Sequence, residues 1–300
     1  MNNCRLLAGA ALLFSCLTLP HPVFATGRAE CLSAPSKILG YSVPYCVLLP
    51  PSYDAEKTRR YPLLYLLHGL GDNEQMLIHS GGFSLVEDLW ERHQLGDLLI
   101  VTPDGGSSFY INSRDGHRRY EDFFLREFLP QIEKRYRTQA GRGSRGIAGI
   151  SMGGYGALHL AFRHPQLFGS LGAHSAALLE RLPTVTVGDS RQLARSRILG
   201  DVFGSPLDPV FWKQNDPLTI ARTASLAGLQ IYFDCGSEDD FGFDAGAVAL
   251  DKTLSSRHIP HEFHLYPGGH NWVYVAEHLP ALLQFHFRVF ESTSRRRNSP

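Results

Sequence analysis

The sequence predicts an α/β domain built on a doubly wound, mostly parallel sheet, and three observations predict it. Residues 63–67, 98–101, 146–150 and 229–233 are continuous apolar runs of strand length, the pattern of strands covered on both faces. Amphipathic helical patterns at 83–93, 120–136, 245–257 and 273–290 alternate with them, and such alternation favours parallel pairing through helical crossovers. Glycine-rich polar punctuation follows the runs, as in His68-Gly69-Leu70-Gly71, Pro103-Asp104-Gly105-Gly106 and Cys235-Gly236-Ser237-Glu238-Asp239-Asp240. A further strand pattern at 262–266 leads into Pro267-Gly268-Gly269-His270. These are carboxyl ends of strands, where open α/β sheets bind ligands.

In chain order, Arg5 precedes an apolar stretch over 6–19, then Pro20, Pro22 and Val23-Phe24-Ala25. This is the pattern of a secretory signal peptide over residues 1–25, too short in its apolar core for a membrane span. Leu13-Phe14-Ser15-Cys16 offers a lipoprotein box as the alternative, although Phe14 is bulky for it. The expectation is an exported protein, periplasmic or secreted, without membrane insertion. Export places Cys31, Cys46 and Cys235 where disulfides persist. Cys31 and Cys46 flank a hairpin pattern containing Pro35 and Gly40 and are the expected pair, while Cys235 reads as an inert core thiol. One domain is expected over 26–291. Residues 178–226 break its rhythm with Pro183, Pro206, Pro209 and Pro217 and read as a lid-like insertion over the sheet, and residues 292–300 as a disordered basic tail.

Composition narrows the partners. Across 300 residues, 29 Lys and Arg balance 29 Asp and Glu, so no net field draws nucleic acid or an anionic membrane, and a small neutral molecule is the expected partner. The oligomeric state is not legible.

The most informative motif is Gly149-Ile150-Ser151-Met152-Gly153-Gly154, set between the 146–150 run and a helical pattern carried by Tyr155, Leu158 and Phe162 until His164-Pro165. A strand, sharp turn and helix present Ser151 as a nucleophile, and the turn is so tight that Gly149 and Gly153 leave no room for a Cβ. The N–H of Met152, at a helix start, supplies one oxyanion donor. The second is expected from the loop after an early strand, with the N–H of Leu70 preferred and that of Gly69 the alternative.

A serine hydroxyl needs a base, and the base an orienting carboxylate. His270, on a Gly-Gly turn after the last strand pattern, is the expected base. Asp239 is the leading acid, with Asp240 and Glu238 competing, and Asp104 reads as a turn or pocket-floor residue. His258, His261 and His264 do not make a zinc site, because His261 and His264 would face opposite sides of a strand. No cofactor or metal is expected. Phe109, Tyr110, Phe211 and Trp212 are candidates to line an apolar substrate pocket.

Pro50-Pro51-Ser52-Tyr53, His68-Gly69-Leu70, Pro103-Asp104-Gly105, Gly149-Ile150-Ser151-Met152-Gly153-Gly154, Asn215-Asp216-Pro217-Leu218, Cys235-Gly236-Ser237-Glu238-Asp239 and Gly268-Gly269-His270-Asn271-Trp272 together resemble the esterase D-like esterase family. That group includes S-formylglutathione hydrolases, feruloyl and acetylxylan esterases and mycolyltransferases. The resemblance implies an α/β-hydrolase fold, a triad of Ser151, Asp239 and His270, and oxyanion donors at Leu70 and Met152. Asn271, where the family often has Asp, and the doubled acid Asp239-Asp240 depart from its pattern and weaken assignment to one subfamily. The function expected is an exported serine esterase acting through an acyl-enzyme on acylated carbohydrates or other small extracellular esters. The alternatives are an acyltransferase of the mycolyltransferase type or a catalytically silent binding protein on the same scaffold.

Overall fold

The computed structural model describes residues 26–182 and 190–298, so the signal-peptide and Cys16 expectations and part of the 178–226 insertion fall outside it. Eight strands, β1 (Arg28–Pro35), β2 (Ser42–Leu49), β3 (Leu63–Leu67), β4 (Leu99–Pro103), β5 (Arg145–Ile150), β6 (Ser170–His174), β7 (Gln230–Gly236) and β8 (Glu262–Tyr266), form one sheet. Their order is β1-β2-β4-β3-β5-β6-β7-β8. The first two strands pair antiparallel and β2 joins β4 antiparallel, whereas β3 to β8 are mutually parallel. This is the α/β-hydrolase architecture that the sequence predicts.

The apolar runs are strands because both of their faces are covered. Leu63, Tyr65 and Leu67 of β3 enter one core with Phe124, Phe128, Tyr155 and Leu158. Leu64 and Leu66, on the other face, enter a second core with Trp90, Leu279, Leu282 and Leu283. The helical patterns fold at Gly82–Glu91, Phe243–Ser256 and Trp272–Asn298, and the 120–136 pattern becomes Tyr120–Phe123, a π turn at Phe124–Phe128 and Leu129–Arg135. The β1–β2 hairpin sets Cys31 directly opposite Cys46, and the two form a disulfide.

One strand goes unread and one expectation needs correction. Strand β6 makes no continuous apolar run because Ser170 and Gly172 interrupt it: Ser170 Oγ lies 2.7 Å from His286 Nδ1 on the last helix, and a Cβ on Gly172 would come within 2.7 Å of the same ring. The basic tail is not disordered at its start, because that last helix continues to Asn298. Thr293 packs so closely on Gly143 that a Cβ there would meet its methyl at 2.4 Å, which ties residues past 291 to the body.

Between β6 and β7 the insertion supplies helices Ser190–Phe203, Pro209–Asn215 and Pro217–Ile220. Asp208 and Asp216 start the latter two by accepting N–H bonds from the first turn, at 2.9 Å from Val210 and 3.0 Å from Thr219.

Candidate active site

Ser151 stands between β5 and the helix Met152–Arg163 with φ 55° and ψ −114°, a backbone conformation that a residue with a side chain rarely holds. Neighbouring backbone enforces it. A Cβ on Gly149 would lie 2.1 Å from the Gly153 carbonyl oxygen, and one on Gly153 would lie 2.1 Å from that of Leu67. Ser151 donates its N–H to the His174 carbonyl of β6 at 2.9 Å, and its own carbonyl accepts from Ala177 at 2.9 Å.

His270 reaches this serine from the loop after β8, its Nε2 lying 2.9 Å from Ser151 Oγ. Its Nδ1 lies 2.7 Å from Asp239 Oδ2 in the loop after β7. A carboxylate facing Nδ1 fixes the ring proton there and leaves the Nε2 lone pair toward the hydroxyl. Asp239 is itself anchored, Oδ1 accepting from the N–H of Phe241 at 2.9 Å and of Phe243 at 3.3 Å. Burial works against ionising this carboxyl, but the bond from His270 and the two amides outweighs it and holds it below the usual carboxylate range. Phe241 and Phe243 pack edge-on against the His270 ring, with centroids at 4.8 and 5.3 Å.

The competing acids separate cleanly. Asp240 Oδ2 accepts the backbone N–H of His270 at 3.2 Å rather than touching its ring. Glu238 is solvent-exposed, and its backbone N–H donates to the Gly268 carbonyl. Asp104 shapes a turn by accepting from the Gly106 N–H at 2.8 Å. The buried Cys235 thiol lies 3.6 Å from Asp239 Oδ2, and burial pushes its pKa up, as suits an inert thiol. His261, just before β8, is held by Asp251 at 2.9 Å, while His264 of β8 stacks on Tyr266.

Leu70 and Met152 border the same cavity as Ser151. The N–H of Met152, the first residue of its helix, has no acceptor within that helix. The Leu70 loop is propped from below. Buried His68 places Nδ1 2.8 Å from the Gly69 carbonyl, and its Nε2 accepts the Gly105 N–H at 2.8 Å. Tyr110 completes the prop, its hydroxyl donating to the His68 carbonyl at 3.1 Å.

That placement corrects one pocket expectation: Tyr110 is fully buried under the loop. Phe211 is a second correction, because it turns to pack against Phe203 at 6.3 Å. Phe109 and Trp212 do line the cavity, which has about 510 Å³ and is walled further by Leu179, Ile198, Leu199 and Phe243. Sequence reading missed the insertion's aliphatic residues because helical fragments without a strong periodicity do not announce which side faces a ligand. Phe241 and Phe243 were within reach, standing two and four residues beyond the acid. A smaller cavity of about 240 Å³ also opens at Ser151 and His270, bordered by Asp72, Asn271 and Trp272.

A strained serine at a strand end, hydrogen-bonded to a histidine that is in turn held by a buried carboxylate, defines a site of the α/β-hydrolase class. The sequence matches the family described as "Putative esterase" over residues 36–286, and the chain belongs to that family. It is 33% identical over 251 residues to an esterase of Mycobacterium tuberculosis, covering 77% of this chain and 53% of the relative. The chain thus spans about half the length of that relative. It is 27% identical over 273 residues to the diacylglycerol acyltransferase/mycolyltransferase Ag85A of Mycobacterium leprae, covering 84% of this chain and 80% of the other. Among solved structures, a ferulic acid esterase superposes with a TM-score of 0.75 at 27% identity, covering 88% of this chain and 99% of that one.

Proposed function

We propose that this chain is an exported serine esterase in which Ser151, His270 and Asp239 form the catalytic triad. The observation that carries the reading is the unbroken line from Ser151 Oγ through His270 to Asp239, with contacts of 2.9 and 2.7 Å. Ser151 Oγ attacks the ester carbonyl carbon while its proton passes to His270 Nε2. The carbonyl oxygen becomes an oxyanion received by the N–H groups of Leu70 and Met152. Collapse breaks the bond to the alcohol, which leaves with the proton from His270. Water then repeats the sequence on the acyl-enzyme, giving the acid and restoring Ser151.

The mostly apolar cavity of about 510 Å³, with Arg181 on its wall, suits an acyl or aryl group, and the smaller one with Asp72 and Asn271 suits a hydroxylated alcohol. Acylated carbohydrates or other small extracellular esters fit that division. The Cys31–Cys46 disulfide supports an oxidising compartment. Likeness to a mycolyltransferase keeps a second reading, in which a sugar hydroxyl replaces water as acceptor. A silent binding protein would have no need of a strained serine aligned with an imidazole.

The test is a panel of 4-nitrophenyl acyl esters, feruloyl sugars and acetylated sugars, read with and without a free sugar acceptor. Labelling of Ser151 by a fluorophosphonate and loss of turnover in Ser151→Ala are expected. Retained turnover in that variant would refute the triad, and products on the added sugar would favour transfer.

A further inference from the structure

We infer that the groove between the β1–β2 turn and the 113–118 loop is a second substrate-binding site, taking a neutral oligosaccharide chain whose esterified residue reaches Ser151. This rests on the esterase reading above and adds where the rest of the substrate lies. The groove has a volume of about 650 Å³, larger than the cavity beside Ser151.

Its position is set by the sheet. Tyr45 of β2 pairs with Pro103, the last residue of β4, so Tyr41, just before β2, lies at the same end of the sheet as Ser151. The order β2-β4-β3-β5 puts three strand spacings between Tyr41 and Ser151, roughly 14 Å at about 4.8 Å per spacing. The helix Ser190–Phe203 forms the partition, turning Ile198 and Leu199 toward the cavity and Gly200 and Asp201 toward the groove. A ligand that engages both sites has to be a chain rather than a small ester.

The lining chooses the kind of chain. Arg114 and Arg118 are countered by Asp115 and Asp201, with His117 beside them, so formal charges of both signs are interleaved and, with His117 neutral, the groove presents no field of one sign to favour an anion. Arg114 is already bound to Asp208 at 2.7 Å, and Asp115 accepts from the Ser113 hydroxyl at 2.6 Å. Interleaved donors and acceptors match hydroxyl groups, which both give and accept hydrogen bonds. Tyr41 adds a ring that is 53% exposed, a flat apolar face for the C–H side of a pyranose. An acyl chain would find too few apolar partners there.

The experiment has a binding arm and a turnover arm. Ser151→Ala protein is titrated with xylohexaose, cellohexaose and an oligogalacturonate, and the titration is repeated with Tyr41→Ala or Arg118→Ala added. One neutral hexaose is expected to bind, and each added substitution to weaken it at least fivefold. In the active protein, Tyr41→Ala should lower kcat/KM for an acetylated xylo-oligosaccharide about fivefold, chiefly through KM, and leave 4-nitrophenyl acetate unchanged. No binding of either neutral hexaose, preference for the acidic chain, or an equal fall on both substrates would overturn the inference. Failure of the esterase reading would show separately, as absent turnover of 4-nitrophenyl acetate by the unsubstituted protein.

Discussion

Asp240 holds the backbone of His270, its Oδ2 accepting that residue's N–H at 3.2 Å, while adjacent Asp239 holds the ring at 2.7 Å. Two consecutive carboxylates thus divide the work of placing one histidine. Only the one on Nδ1 sets the tautomer. Asp239→Asn should lower kcat on 4-nitrophenyl acetate about 10⁴-fold, as expected when the orienting carboxylate is lost. Asp240→Asn keeps an oxygen for the amide and should cost less than about tenfold. Steady-state kinetics of the two side by side decides, and a reversed ranking would make Asp240 the acid.

The strained serine should reveal itself in stability. Ser151 is confined to φ 55° by contacts around Gly149 and Gly153, and such a conformation costs on the order of 1–3 kcal/mol for a residue with a side chain. Glycine adopts positive φ freely, so Ser151→Gly should raise stability by about 1 kcal/mol, shifting Tm upward by about 2 °C while abolishing turnover. Thermal and urea melts check this. A destabilised Ser151→Gly would mean that the hydroxyl's bond to His270 outweighs the backbone strain.

Legibility followed the physics of each element. β3 and β5 were readable because strands buried on both faces must be apolar throughout, and Ser151 because its turn admits only glycine at Gly149 and Gly153. His270 was readable from its place on a strand-end glycine turn. β6 was not, since Gly172, which leaves room for His286, and Ser170, which bonds it, break the apolar run and mimic a loop. Tyr110 looked like a pocket aromatic, yet its hydroxyl finds an acceptor only beneath the 68–70 loop. Aromatic type alone does not say whether a ring faces ligand or scaffold.

Away from the catalytic line, Glu121 is bound to the nucleophile helix, whose His159 also holds the insertion. Its carboxylate lies 3.1 Å from His159 and 2.9 Å from His164, and the other His159 nitrogen lies 2.9 Å from the Asn215 carbonyl. Burial alone would raise the Glu121 pKa, but those two bonds and nearby Arg163 carry it well below the usual carboxylate range. A depressed folded-state pKa adds stability above the unfolded value of about 4.3, and that stability is lost as pH falls toward the folded value. Glu121→Gln should therefore cost about 2 kcal/mol at pH 7, the scale of hydrogen bonds to a charged group, and progressively less below about pH 4. Urea melts of both proteins across this range give the difference. A gap that stays constant with pH would exclude the charge as its source.

The acyl cavity can be tested by filling it. Ile198 is half-buried on the insertion helix and borders the cavity of about 510 Å³ together with Phe109 and Trp212. An indole there would occupy space that an acetyl group does not need but a hexanoyl or feruloyl group does. Ile198→Trp should leave kcat/KM for 4-nitrophenyl acetate within about twofold and lower it for the hexanoate about tenfold or more, the scale of losing one to three kcal/mol of apolar contact. If the alcohol occupied this cavity and the acyl group the smaller one, the pattern would invert. Acyl chain length would then make no difference, whereas exchanging 4-nitrophenyl for a methyl leaving group would relieve the defect.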